Sequence, residues 1–196
     1  LKNLPIRIFC ATFIIYWKYN FSAKINQYLN RLYQSLKYKA TIEEENKEIA
    51  KRYKNLLKET YQTLSRSDKL MIRKAFNLSV EAHSNQRRKT GEPYIFHPIS
   101  VAKIVANEIG LGAISIAAAL LHDVVEDTKY SLDDIERLFG ENVAKIVSGL
   151  TKISNLKKDK DYSIQAENFR KMLLTLNDDV RVILVKIADR LHNMRT

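Results

Sequence analysis

The nine residues from Ala113 to Leu121 are apolar except for Ser115 and contain neither glycine nor proline. A run of that length suits a helix buried on most of its sides, so the rest of the chain must supply elements that wrap it. His122-Asp123 and then Glu126-Asp127 follow directly. Ionisable groups at the end of a buried segment need partners, and a divalent ion is the simplest partner for all of them.

If the helix runs on, His122 and Glu126 stand four residues apart, as do Asp123 and Asp127, which places both pairs on neighbouring stripes of one face. Imidazole with carboxylate suits Mn, Fe or Zn, and the two later acids are placed to position or deprotonate a water. Taken alone, a His-Asp dipeptide is more often a solvated helix end. Two further candidates strengthen the metal reading. His97 precedes Pro98, which biases it out of the helical region and predicts a helix over Pro98–Ile109 with the histidine at its mouth and Gly110 as the stop. Asp189 lies in the predicted helix Val180–Arg195, where Val180, Ile183, Leu184, Ile187, Leu191 and Met194 make an apolar stripe beside a polar line of Lys186, Asp189, Asn193 and Thr196. Each of these has an ordinary alternative, a capping histidine or a surface aspartate beside Arg190. The combination H…HD…D, with two acids after the HD, is the ligand order of the HD-type metal phosphohydrolases.

Three stretches make the likeness closer: Arg87 to Pro98 (RRKTGEPYIFHP), Ala117 to Thr128 (AAALLHDVVEDT) and Lys186 to Thr196 (KIADRLHNMRT). With Gly149-Leu150-Thr151-Lys152 and Gln165 to Lys171, they resemble the hydrolase half of the bifunctional Rel/Spo enzymes that make and destroy (p)ppGpp. The resemblance runs from about Leu64 to Thr196. It implies that His97, His122, Asp123 and Asp189 hold a metal, usually manganese, and that Glu126 and Asp127 orient and activate the attacking water. It also places Arg88 and Lys89 near the nucleotide, with Tyr94, Asn193 and Thr196 as pocket wall or substrate contacts. The implied reaction is metal-dependent hydrolysis of the 3′-pyrophosphate of ppGpp or pppGpp, giving pyrophosphate and GDP or GTP in the cytoplasm. Two other readings stay open: an HD phosphohydrolase for another nucleotide, and a catalytically silent nucleotide-binding regulatory module.

The residue types suit that chemistry in their own right. A nucleotide with pyrophosphate on two positions is a dense polyanion, and a basic turn at Arg87, Arg88 and Lys89 holds such a group through charge-assisted bonds. A basic turn after a helix is also common for simpler reasons, since the last carbonyls attract cations.

With only five glycines and three prolines in 196 residues, the chain lacks the turns that sandwiches and barrels need, so an all-α helical bundle is expected. The single cysteine, Cys10, excludes an internal disulfide framework and a thiolate metal site. Residues 1 to 69 carry 14 Lys/Arg against 6 Asp/Glu, whereas residues 70 to 196 carry 19 against 16. The basic excess therefore lies mainly outside the motifs, as solvated surface or as contact with an anionic partner, RNA included.

These observations divide the chain into a basic, helical extension over residues 1–63, which the resemblance does not cover, and an HD-type domain over residues 64–196. In the extension, the uncharged core from Ile8 to Trp17 is too short for the ~20 residues that span a bilayer. Helices are expected over Ser22–Lys39, Thr41–Leu64 and Ser67–Asn85, then over Glu141–Ser148 and Ser163–Leu176. Between Glu141 and the basic turn, Ser131-x-x-Asp134 resembles a capping box for a short helix ending at Gly140. Asn155 to Tyr162 reads as a charged loop, and Asn177-Asp178-Asp179 as the cap of the Asp189 helix. The chain starts at Leu1 and stops inside a helical pattern at Thr196, so it is expected to be a fragment, truncated at its carboxyl end. In the family a synthetase, and regions that associate with the ribosome or RNA, lie beyond that point.

Overall fold

Two capping boxes mark where helices must begin. In this computed structural model, which describes the backbone of residues 6–60, 64–155 and 179–196, the Ser65 hydroxyl accepts from the Asp68 N–H while the Asp68 carboxylate accepts from the Ser65 N–H. This starts α2 (Arg66–Ala82). Ser131 and Asp134 do the same for α6 (Leu132–Phe139), which ends at Gly140 with φ +85°, a conformation natural to glycine. The capping box and the stop are therefore where the sequence placed them.

The remaining described helices are α1 (Ile6–Thr60), α3 (Phe96–Lys103), α4 (Ala113–Leu121), α5 (Val124–Asp127), α7 (Glu141–Asn155) and α8 (Val180–Arg195). Beyond them, the described residues hold one isolated antiparallel bridge, Arg87 to Pro93, and no strand. The all-α expectation holds. No described helix is long and apolar enough to cross a membrane. The expected loop after Asn155, the Ser163–Leu176 helix and the Gln165–Lys171 motif lie outside the described residues.

The chain forms two compact units, Leu1–Lys47 and Glu48–Thr196. Where two helices were expected there is one, because nothing between Ile6 and Thr60 is a glycine or proline that would stop it. In the first unit Ile25, Tyr28, Leu29, Leu32 and Tyr33 are exposed. The second unit takes in the last turns of α1, upstream of the motifs: Leu56 is fully buried, Tyr53 stacks on Phe76 at 4.0 Å, and the Arg52 guanidinium lies 4.0 Å above the Phe96 ring.

At the centre of the second unit is α4, in contact with α2, α3, α7 and α8. Its residues Ile116 to Leu121 are essentially inaccessible. The three alanines, Ala117 to Ala119, present little bulk, which lets neighbouring axes approach closely. Burying Ile116, Leu120 and Leu121 contributes about 2 kcal/mol each.

Three expectations need correction. His97 is not outside its helix but is the second residue of α3, its N–H bonded to the Tyr94 carbonyl at 2.9 Å. Pro98 costs nothing there because the first-turn N–H groups have no intrahelical acceptor to lose. Downstream, α3 loosens into a π-helical turn, Ile104–Glu108, with the Ile109 N–H reaching the Ile104 carbonyl, before Gly110 at φ +79° stops it. Second, the helix does not run on through His122 and Asp123. Asp123 adopts φ −101°, ψ −5°, the bridge region between helix and strand, and α5 restarts as a single turn. Third, α8 has the expected bounds but turns another stripe inward. Val182, Val185, Ala188 and Asp189 are buried, whereas Val180, Ile187 and Met194 are 54%, 54% and 83% exposed. Periodicity did not choose between them because most of the circumference of α8 from Val180 to Ala188 is apolar. In addition, α7 extends seven residues past the expected Ser148, through Gly149, whose missing Cβ leaves room for Val182; a Cβ there would sit 2.8 Å from Val182 Cγ2.

Candidate metal centre

Each histidine of the predicted set is fixed by its Nδ1. His122 caps the end of α4, and its Nδ1 lies 2.7 Å from the Ala119 carbonyl. A carbonyl only accepts, so this nitrogen carries a proton, and in the neutral ring Nε2 keeps its lone pair. That Nε2 is buried and has no hydrogen-bond partner among the described residues. His97 Nδ1 lies 2.8 Å from His192 Nδ1, so one of these two donates to the other. With His97 as donor, its Nε2 is likewise left to the site.

The acids converge on those two nitrogens. Asp123 Oδ2 is 2.9 Å from His122 Nε2 and 3.8 Å from His97 Nε2, and Asp189 Oδ1 is 3.3 Å from His97 Nε2. Ligand atoms of His97, His122 and Asp123 all fall within 4.8 Å of one another. Both histidines are almost inaccessible, at 3% and 1%. Two imidazoles, two carboxylates and a buried ring nitrogen without a hydrogen-bond partner are the donor set of a borderline divalent ion, and the residues present fit one.

A second layer orients the acids. Tyr94 donates from its hydroxyl to Asp123 Oδ2 at 2.6 Å, Asn193 Nδ2 donates to Asp189 Oδ1 at 2.7 Å, and Lys186 Nζ is 3.2 Å from Asp189 Oδ2. The electrostatics follow. Burial alone would raise the Asp123 carboxyl, but the adjacent His122 ring and the hydrogen bond from Tyr94 hold it well below the usual carboxylate range. Asp189 is held down in the same way, against burial, by His97, His122 and Lys186. Burial lowers His97. For His122 burial acts downward too, yet Asp123 outweighs it and keeps the ring above its ordinary value. His192 is pulled down to about 4 by burial and by its neighbours His97 and Arg88.

An open cavity of about 680 Å³ lies over this cluster. Its wall includes Arg88, Lys89, Tyr94, Asn193 and Thr196, together with Glu126. The basic turn is held open by its own backbone: Arg88 N–H donates to the Glu92 carbonyl, and Gly91, at φ +89°, donates to the Arg88 carbonyl. Arg88 Nη2 donates to Asn193 Oδ1 at 3.0 Å, while its Nη1 is buried and without a hydrogen-bond partner among the described residues. Arg88 is therefore tied, through Asn193, to the metal-side aspartate. Asp127 is exposed and does not line this cavity; its N–H bonds to the Asp123 carbonyl at 2.9 Å. The break at His122-Asp123 thus replaces the single helical face expected for the four ionisable residues. Sequence reasoning missed His192 and Lys186 as members of the site. Their positions, three residues after and three before Asp189, are the available signal.

A family model described as an HD domain matches residues 75–196, more than half of the chain. A Synechocystis protein described as a probable guanosine-3′,5′-bis(diphosphate) 3′-pyrophosphohydrolase is 52% identical over 126 residues, 64% of this chain and 16% of that protein. The Escherichia coli bifunctional (p)ppGpp synthase/hydrolase SpoT is 48% identical over 141 residues, 71% of this chain and 20% of that protein. The chain thus spans a fifth or less of the length of these relatives. A solved structure described as a metazoan ortholog of SpoT that hydrolyzes ppGpp superposes with a TM-score of 0.55 at 34% identity, covering 67% of this chain and 70% of that one.

Proposed function

Because this chain belongs to the HD domain family, we propose that residues 64–196 are a hydrolase domain that removes the 3′-pyrophosphate of ppGpp or pppGpp. The observation that carries the reading is the basic turn Arg87 to Lys89 facing the His97, His122, Asp123 and Asp189 cluster across one cavity. The similarity to relatives described as acting on guanosine bis(diphosphate) supports the choice of substrate.

In this reading His97, His122, Asp123 and Asp189 hold the metal, Mn2+ in our proposal. Such an ion supplies Lewis acidity to water and to a phosphate oxygen. The chain's own groups do the rest. Arg88 and Lys89, both on the cavity wall, bind phosphate through charge-assisted hydrogen bonds. Tyr94 keeps Asp123 oriented, and Asn193 and Thr196 bound the nucleotide. Glu126 and Asp127, on the single turn of α5, orient the attacking water and take its proton. In this reading the products are GDP or GTP and pyrophosphate, and the reaction runs in the cytoplasm.

The test is pyrophosphate release from ppGpp with Mn2+ added or chelated, alongside GTP and other nucleotides as competing substrates. Release that is metal-dependent, selective for ppGpp and reduced by at least about a thousandfold in Asp127→Asn is expected. Full rate in that variant would remove Asp127 from the chemistry, and an equal rate on GTP would favour an HD phosphohydrolase of other specificity.

A further inference from the structure

α2 ends at His83, whose ring is buried at 2% exposure and is not used by the reaction as proposed. Three residues on, Gln86 points one end of its side-chain amide at the backbone carbonyl of Asp127, 2.8 Å away and 41 positions along the chain. A carbonyl only accepts, so the end facing it is the NH2 group, and the other end is the amide oxygen. That oxygen is 2.7 Å from His83 Nδ1, so His83 donates from Nδ1, a bond the neutral ring can make. Burial, which keeps the ring below its ordinary value, agrees with that protonation.

The opposite side of the same neighbourhood is also occupied. The His83 ring lies against Tyr94, with centroids 4.7 Å apart and planes tilted by 36°, and Tyr94 is the donor to Asp123 Oδ2. One imidazole therefore backs two arms. Through Gln86 it reaches the end of α5, and through Tyr94 it reaches the carboxylate at the start of α5. The turn between them needs this support, because four residues make almost no helical hydrogen bonds of their own.

We propose that His83 and Gln86 are positioning residues that clamp α5 from behind, fixing the turn that carries Glu126 at the cavity wall and Asp127 next to it. The role attached to α5 rests on the hydrolase reading; the clamp itself does not. Gln86→Met keeps the length of the side chain and removes both hydrogen bonds. His83→Leu removes the donor, and His83→Asn restores a donor near the Nδ1 position.

The experiment measures kcat and KM for ppGpp with Mn2+, the rise in Tm on adding Mn2+, and backbone amide hydrogen exchange at Asp127. In Gln86→Met, kcat falls by about tenfold or more because the acids are held less closely, while KM and the metal-induced rise in Tm stay at wild-type values. The Asp127 amide, bonded to the Asp123 carbonyl, exchanges about fivefold faster once the clamp is gone. His83→Leu follows Gln86→Met, and His83→Asn recovers part of the rate. Unchanged Asp127 exchange in Gln86→Met overturns the clamp, and faster exchange at wild-type kcat overturns its role in positioning. If the wild-type chain releases no pyrophosphate at all, the hydrolase reading fails, and the exchange comparison alone still decides whether the clamp exists.

Discussion

Both α4 and α8 position members of the proposed metal cluster, but they are held in different ways. α4 is enclosed on nearly every side, and His122 at its end is fixed by the Ala119 carbonyl of its own last turn. α8 is enclosed along one stripe only, and Asp189 depends on the side chains of Asn193, Lys186 and His97 for its orientation. A ligand on a fully buried helix is placed by backbone and packing. On a half-covered helix it is placed by polar neighbours, so the two sides of the cluster fail differently when altered.

The largest contrast is between His122→Ala and Asn193→Ala. If the proposed hydrolase reading holds, removing His122 takes a ligand that nothing can replace, so pyrophosphate release falls by at least about a thousandfold and Mn2+ no longer raises Tm. Removing Asn193 only frees Asp189, and Mn2+ affinity weakens by about 10- to 100-fold while the ion still binds. Titration of Mn2+ against Tm separates the two; equal losses would mean that α8 is no more dependent on polar support than α4.

Packing gives the next contrast. Ala118→Leu forces three more heavy atoms into a site with no accessible surface and costs about 1–3 kcal/mol in a denaturant melt. Met194→Ala, on the exposed stripe of α8, changes stability by no more than about 0.5 kcal/mol. A large loss at Met194 would show that the outward stripe is covered in solution.

The smallest expected effect is in pH. In the metal-free protein His192 titrates near 4 when folded and near its ordinary 6.5 when unfolded. Between those values the unfolded chain binds more protons, so stability falls as pH drops from 6.5 to 4 and is fully retained above 6.5. Raised His122 acts above 6.5 with the opposite sign, and the lowered acids act below this window. Tm should decline from pH 6.5 to 4, less steeply in His192→Asn; a flat or rising profile would contradict the lowered value of the half-buried His192.

The parts that were legible in the sequence are those governed by local chemistry. Ser131 with Asp134, Gly140 and the bounds of α8 rest on hydrogen bonds and backbone preferences within a few residues, which short-range patterns encode. His97, His122, Asp123 and Asp189 meet in space as their residue types and order suggested. What was not legible depended on long-range contact. Which stripe of α8 turns inward is decided by Gly149 and Val182 meeting, and the link from Gln86 to Asp127 joins positions far apart in the chain. The turn at Asp123 was missed because Leu121-His122-Asp123-Val124 contains no breaker, so a continuous helix was the local default.

Gly149 occupies the interior of α7, where glycine costs about 1 kcal/mol relative to alanine in helix propensity. The close seat it gives Val182 makes that contact a fulcrum for α8, which runs as a stiff rod from there to Asp189, two turns further on. A single methyl group at residue 149 would lift the rod at the fulcrum and swing Asp189 relative to the two histidines. The fine adjustment of the metal cluster is thus set partly by an atom that is absent, on a helix that contributes no ligand.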